Sequence, residues 1–312
     1  MFKKFYKMRN HYDRKRILKW LEFYPELKDE KFIVTEKLHG CCFGIQFTSD
    51  GGYSFQKKNS NLSLDDKFFN FQAILDDEKI MGFINEMVEY CKDESKNLTL
   101  FGELHGDGVQ KEVKYCKERK VLFFDAYDRD TEEWITPEET LSLVGEDLYV
   151  PIIGYFDGLV DALAVDTEFN SILNPVDDNI CEGVVLRPFS KNYIYMHDHL
   201  VVKKKNDKFK EKVKVKKNKE PEFLDPEIQE LSDIVCSYVT DARLDNVISH
   251  IGEPDGMEDF GKTIKEFLLD IREDALAEHS EINNRSKQEV KKIFKASSSI
   301  AVNLLKRRIM GL

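Results

Sequence analysis

The chain has 312 residues, 41% of them hydrophobic, enough apolar material for one large domain or two smaller ones with cores of their own. A net charge of −11 speaks against a protein that coats nucleic acid nonspecifically, but it leaves room for a local basic groove, because patches and not totals bind phosphates. Six scattered cysteines without a Cys-x-x-Cys pair suit reduced thiols in the cytoplasm, and no apolar run is long enough for a signal peptide or a membrane span.

In chain order, Asp13 to Phe23 places Ile17, Leu18, Trp20 and Leu21 at helical spacing and stops at Pro25. Phe32-Ile-Val reads as a buried strand and Cys41 to Phe47 as a second, with Gly40 supplying permissive backbone between them. Lys37 sits at that junction, directly after Glu36 and two residues before His39, where an amine can be held rigidly toward a pocket. A turn at 49–52 leads into a third strand, Tyr53 to Lys57. Amphipathic helices are predicted at 65–75 and 79–92, the second with Ile80, Phe83, Ile84, Met87, Val88 and Cys91 on one face. Leu98 to Leu104 and Val121 to Tyr127 read as strands. Pro137 opens a short helix and 157–166 holds another. Strands return at Cys181 to Arg187 and Leu200 to Lys205.

The composition then shifts. Residues 203–219 hold ten lysines, and a proline-marked stretch at 220–226 follows. Beyond it only helical periodicity remains, over 226–248, 259–278 and 285–309. Strands interleaved with helices, then helices alone, predict an α+β domain over residues 1–222 and an all-helical domain over 223–312.

Five strand-associated segments each bring charge into an apolar setting: Glu36-Lys37-x-His-Gly, Phe101-Gly-Glu103, Phe123-Phe-Asp125, Glu182-Gly-Val-Val-Leu-Arg187 and Val202-Lys-Lys-Lys205. Any one of them is weak. In this order they resemble the covalent nucleotidyltransferases, the superfamily of ATP-dependent ligases and capping enzymes. Lys37-Leu-His-Gly40, with histidine where DNA ligases usually carry aspartate, is similar to the RNA ligase 2 family, the double-strand nick-sealing and RNA-editing type. Phe101 to Lys111 and Val202 to Phe209 resemble that family's third and fifth motifs. The likeness extends to Tyr238-Val-Thr, Asn246-Val-Ile-Ser and Asp259-Phe-Gly-Lys262 in the helical part.

That resemblance implies a nucleotidyltransferase domain of packed, mostly antiparallel sheets with flanking helices, plus the helical C-terminal domain. It implies a monomeric ATP-dependent RNA ligase using magnesium or manganese, with nicked duplex RNA or RNA ends as partner. Lys37 would form lysyl-AMP, Glu103 contact the ribose, Phe124 stack on adenine, Glu182 help hold the metal, and Lys203 and Lys205 contact the AMP phosphate. Glu36, Lys58 and Arg187 also match nucleotide-binding positions, Asp125 matches a motif position, and Arg243 matches an RNA contact. The chemistry fits these residue types. An attacking lysine must be neutral, yet a free lysine near pKa 10.4 is neutral only about once in a few thousand at pH 7. Two ammonium groups nearby, Lys203 and Lys205 on one strand face, favour its neutral form and stabilise phosphoryl oxygens.

Two positions depart from the family. Cys42 stands where asparagine is usual, and Lys58 where arginine is usual; a thiol lacks an amide's donor–acceptor pair, and lysine lacks the bidentate fork. Cys42 is expected beside the nucleotide, with a thiol open to alkylation, and Cys41 on the opposite face. Other covalent nucleotidyltransferases, or a degenerate RNA-end-binding protein, are the rival readings. Gly256 to Thr263 matches the P-loop pattern but has no strand before it and carries Glu258 and Asp259, and His197-x-His199 lacks a third metal ligand.

Overall fold

The computed structural model describes residues 2–209 and 225–310, and the chain separates into two compact units, residues 1–208 and 209–312. The expected domain boundary at 222/223 lies outside the described residues.

The first unit is built on two sheets. One has five strands in the order Arg9–Asn10, Val202–Lys205, Gly183–Pro188, Lys31–Glu36, Ile152–Asp157, with the first pair parallel and the rest antiparallel. The other has six antiparallel strands in the order Ser60–Leu62, Tyr53–Lys57, Cys41–Phe47, Leu98–His105, Lys120–Asp128, Glu133–Trp134. Sequence reading locates the long central strands. It misses Ile152–Asp157, a half-exposed edge strand whose alternation is broken by Gly154.

Alternation on Cys41–Phe47 builds the main core. Cys41, Phe43, Ile45 and Phe47 face a cluster with Phe71, Ile80, Ile84, Met87 and Leu100. The helix Glu78–Asp93, capped by Asp77, supplies one wall of it, close to the expected 79–92. The predicted helix at 65–75 is not formed. Those residues make a loop and then a 3-10 segment, Phe71–Asp76, entered through the left-handed residues Phe69 and Asn70, which interrupt a regular helix. Behind the five-stranded sheet, Trp20, Leu27, Phe32, Val34, Leu159, Leu186 and Val202 form a second core under the helices Arg14–Phe23 and Leu159–Ala164. The expected helix at 157–166 is therefore only six residues long, because Asp157 still belongs to the edge strand and Gly158 caps the helix.

The second unit contains only helices among the described residues: Pro226–Cys236, Asp241–Ile251, Phe260–Glu278, Ser280–Asn283 and Lys287–Met310. The helical stretch expected over 226–248 is two helices, because Thr240 adopts extended backbone and caps the second one through Arg243 N–H. The P-loop-like stretch is a 3-10 turn, Gly256–Glu258, followed by a helix and preceded by the helix Asp241–Ile251. It has no strand from which to cradle a phosphate.

Gly183 shows how tightly the five-stranded sheet closes. Its φ is +148°, and a Cβ there would lie 2.1 Å from the carbonyl oxygen of Lys204. Gly183→Ala is expected to cost at least about 1–3 kcal/mol, read as a lower denaturant midpoint with an unchanged m-value.

Candidate active site

The two sheets are joined by four residues, Lys37-Leu-His-Gly40, between the strand Lys31–Glu36 of one and Cys41–Phe47 of the other. Neighbouring backbone seats this turn from both sides. Lys37 N–H donates to the carbonyl of Gly183 at 2.9 Å, and Gly40 N–H donates to the Glu103 carboxylate at 3.1 Å. A Cβ on Gly40 would meet the carbonyl oxygen of Leu104 at 2.2 Å, so only glycine lets the strands approach this closely.

At the centre lies Glu182, 3% exposed, one residue before the strand Gly183–Pro188. Its Oε2 accepts from Lys37 Nζ at 2.7 Å and faces His39 Nδ1 at 3.2 Å, while its Oε1 pairs with Lys205 Nζ at 2.8 Å. Burial works to raise the Glu182 carboxyl, but Lys205 and Lys37 outweigh it and hold it well below the usual carboxylate range. His39 Nε2 meets Glu112 at 2.8 Å on its other side. Burial works to lower the imidazole, yet its hydrogen bonds to Glu112 and Glu182 raise it.

The strand Val202–Lys205 behaves as its alternation dictates. Lys203 and Lys205 share a face, whereas Lys204 turns away and donates to the carbonyls of Leu163 and Val165 at 3.0 and 2.6 Å. Register places Gly183 opposite Lys205, and Val184 opposite Glu36. Three segments far apart in sequence thus lie side by side.

Phe124 owes its position to a β-bulge. Phe101 pairs with Asp125 and Gly102 with Phe123, so Phe124 has no opposite number. The extra residue shifts parity along the strand: Val121, Phe123 and Ala126 enter the main core, while Asp125 and Tyr127 turn to the other face with Cys42 and Phe101. Arg187, 5% exposed, holds the bulge. It pairs with Asp125 at 2.8 Å and donates to the Phe124 carbonyl and, at 3.2 Å, to the Tyr149 hydroxyl. Tyr6 donates to the same Asp125 carboxylate, and Phe5 stands edge-on to Phe124 at 5.3 Å. Arg187 is therefore a support beneath Phe124. Glu36 is also enclosed, 1% exposed, with its carboxylate accepting from Ile172 N–H at 2.8 Å.

Lys37, His39, Glu103, Glu182 and Lys205 converge on this turn. Lys58, in the turn after Tyr53–Lys57, is close enough to act electrostatically on Cys42, as are Glu103, Asp125 and Lys37. Arg243 belongs elsewhere. It is fully buried in the helical unit, its guanidinium paired with Asp270 at 2.5 Å and Asp274 at 2.8 Å and stacked on Tyr238. Within the helical unit Arg243 is an internal strut, and its burial is set by helix packing that the motif does not reveal. Sequence reading also passed over Tyr6, Glu112, Tyr115 and Tyr149, which sit in a terminal segment or in loops where no periodicity marks them. His199 stacks on Tyr6 at 4.3 Å, and no group of three metal-ligating side chains occurs among the described residues.

With this geometry in hand, comparison with known proteins is informative. A profile of the RNA ligase family matches residues 30–216, more than half of the chain. The chain belongs to the RNA ligase family. A second profile, describing the C-terminal region of T4 RNA ligase 2, matches residues 222–302. Among solved structures, a mutant of the Naegleria gruberi RNA ligase with ATP and Mn superposes with a TM-score of 0.51 at 22% identity, covering 67% of this chain. A second mutant of that protein with ATP and Mn gives 0.49 at 21% identity, and one with AMP and Mn gives 0.48 at 19%. This chain spans 57% of the length of each of those chains. The likeness is one of fold.

Cys42 faces the site and Cys41 the main core, as strand alternation requires. Burial pushes the Cys42 thiol up to about 12, with Glu103 adding to the effect. At pH 8 such a thiol is ionised only about once in ten thousand, which works against its alkylation. Iodoacetamide at pH 8 should label the half-buried Cys116 well before Cys42 in the native protein, as read by peptide mass spectrometry.

Burial likewise pushes the Glu103 carboxyl up to about 7, although Lys37 opposes the shift. A carboxyl raised on folding binds more protons in the native state between about pH 4.5 and 7, so its contribution to stability falls as pH rises through that window. Glu103→Gln should therefore gain stability relative to the unsubstituted protein between pH 5 and pH 8, measured by urea denaturation at both.

Proposed function

We propose that this chain is an ATP-dependent RNA ligase that joins RNA 3′-hydroxyl and 5′-phosphate ends at nicks in duplex RNA. The observation that carries the reading is the placement of Lys37 at 2.7 Å from buried Glu182, with Lys205 on the same carboxylate. An ammonium has no lone pair, so the Lys37–Glu182 pair must part and the amine must lose a proton before chemistry begins. The ammonium then gives a proton to solvent. Its lone pair forms a bond to the α-phosphorus of ATP, the bond to the pyrophosphate oxygen breaks with its electron pair, and the nitrogen loses its second proton. Lysyl-AMP results. An oxygen of the RNA 5′-phosphate then bonds to the AMP phosphorus, the P–N bond breaks and Lys37 leaves as an amine that takes up a proton. The 3′-hydroxyl, giving up its proton, bonds to the 5′-phosphorus and AMP departs with the electron pair of the broken P–O bond.

Lys205 and Lys203 line the strand beside Glu182 and supply positive charge to the phosphoryl oxygens. Phe124, raised by its bulge, offers a ring face to adenine, and Glu103 an oxygen to the ribose. A hard divalent cation suits a site whose buried donor is one carboxylate and whose remaining ligands are phosphate oxygens and water. Glu182 would hold Mg2+ or Mn2+ there, and the ion would neutralise charge on the transferring phosphate. Solved Naegleria gruberi structures with ATP and Mn support that choice. No described helix is long and apolar enough to cross a membrane. The two family profiles, meeting between 216 and 222, support an adenylyltransferase domain over 1–222 and a helical domain over 223–312.

Incubation with ATP labelled at the α-phosphate should attach label that survives denaturing electrophoresis. Lys37→Ala and Lys37→Arg should abolish it, the latter because a guanidinium stays protonated. Label taken from the γ-phosphate, or labelling with GTP alone, would overturn the reading.

A further inference from the structure

We propose that Glu112 is a positioning residue for self-adenylylation, acting through His39 on the carboxylate that Lys37 must leave. The proposal rests on the ligase reading above and deepens it.

Glu112 lies in the loop 106–119 between the strands Leu98–His105 and Lys120–Asp128, a segment with no periodicity to mark it. The loop is nonetheless fixed in place. Val109 and Val113 are 4% and 3% exposed. Lys114 N–H donates to Asn179 Oδ1 at 2.8 Å, and the Lys114 carbonyl accepts from Asn179 and Asn174 at 2.8 and 3.0 Å. Residues 174–179 lead directly to Glu182, so the loop is tied to the segment that carries the central carboxylate. The Tyr115 hydroxyl accepts from His39 N–H at 2.7 Å, and Glu112 Oε2 meets His39 Nε2 at 2.8 Å. One loop thus grips both the backbone and the ring of His39.

The ring's other edge explains the purpose. Glu182 Oε2 takes Lys37 at 2.7 Å and His39 Nδ1 at 3.2 Å, so the lysine and the histidine share one oxygen. When the amine turns to phosphorus, Lys205 stays on Oε1 but Oε2 loses its closest partner in a place only 3% exposed, and an unsatisfied buried oxygen opposes the departure. A histidine already seated there keeps the oxygen satisfied. Two ring nitrogens facing two carboxylates hold the imidazole in one orientation, as an outer partner holds a metal-bound histidine. Removing Glu112 frees the ring to rotate off Glu182.

The test uses the full chain with ATP and Mg2+ under single-turnover conditions. Glu112→Ala should slow the maximal rate of lysyl-AMP formation about tenfold while leaving half-saturating ATP unchanged. Glu112→Gln, which keeps an acceptor, should recover most of the rate. In a His39→Ala background Glu112→Ala should add nothing, because its effect passes through the ring. A readout that needs no activity accompanies these: in protein labelled with 15N-histidine, the His39 Nε2 signal should move in Glu112→Ala. An unmoved signal, a Glu112→Ala rate equal to the unsubstituted protein, an effect that multiplies with His39→Ala, or a change confined to ATP half-saturation would each overturn the proposal. Absence of any label on the unsubstituted protein would sink the ligase reading itself, a result distinct from all of these.

Discussion

A buried carboxylate organises this molecule. Taking Glu182 out of water costs several kcal/mol unless partners replace the lost hydration, and here Lys37, Lys205 and His39 do so from three separate segments. Each partner is delivered by a different part of the fold. Lys37 and His39 come from the turn between the sheets, and Lys205 from the strand that pairs with Gly183. One carboxylate therefore ties the five-stranded sheet to the turn between the sheets. It also sets a geometric condition, because the contact that holds Lys37 in place must part before its nitrogen can act as the proposed nucleophile.

The second constraint is the bulge at Phe124. Without it, strict alternation would send Asp125 and Tyr127 into the same core as Phe123. The inserted residue reverses the facing of everything after it. Asp125 then meets Arg187 across from the other sheet, and Arg187 takes the carbonyl that the bulge leaves without a strand partner. A buried ion pair of this kind is poor as a net source of stability, but it is specific. Loss of either charge strands the other, so the geometry that presents Phe124 is defended by the cost of its alternatives. The N-terminal residues Phe5 and Tyr6 close the network from outside.

Cys42 belongs to the same face and illustrates how context governs reactivity. A thiol beside Lys37 and Lys58 would ordinarily be activated, yet burial dominates and keeps it protonated. At this position the side chain acts as a small apolar filler between Phe5, Phe101 and Tyr127.

Much of this was written in the chain itself. The alternating or continuous apolar runs at Phe32, Cys41 to Phe47 and Leu98 to Leu104 determined the central strands, because a strand with one buried face must repeat with period two. The five charged motifs, in order, resemble those of the family to which the chain belongs, and that resemblance is what proposes Lys37 as nucleophile. What the sequence could not decide is which of these residues touch ligand and which hold the ones that do. Arg187 and Arg243 carry the same guanidinium and match family motifs equally well, but both are enclosed by carboxylates contributed from distant elements. Glu112 and Tyr115 lie in a loop without pattern, and only the folding of that loop onto His39 gives them a part. Local periodicity reports burial against an element's own face. Partnership across sheets, bulges and loops depends on where the rest of the chain arrives, and only the tertiary structure decides that.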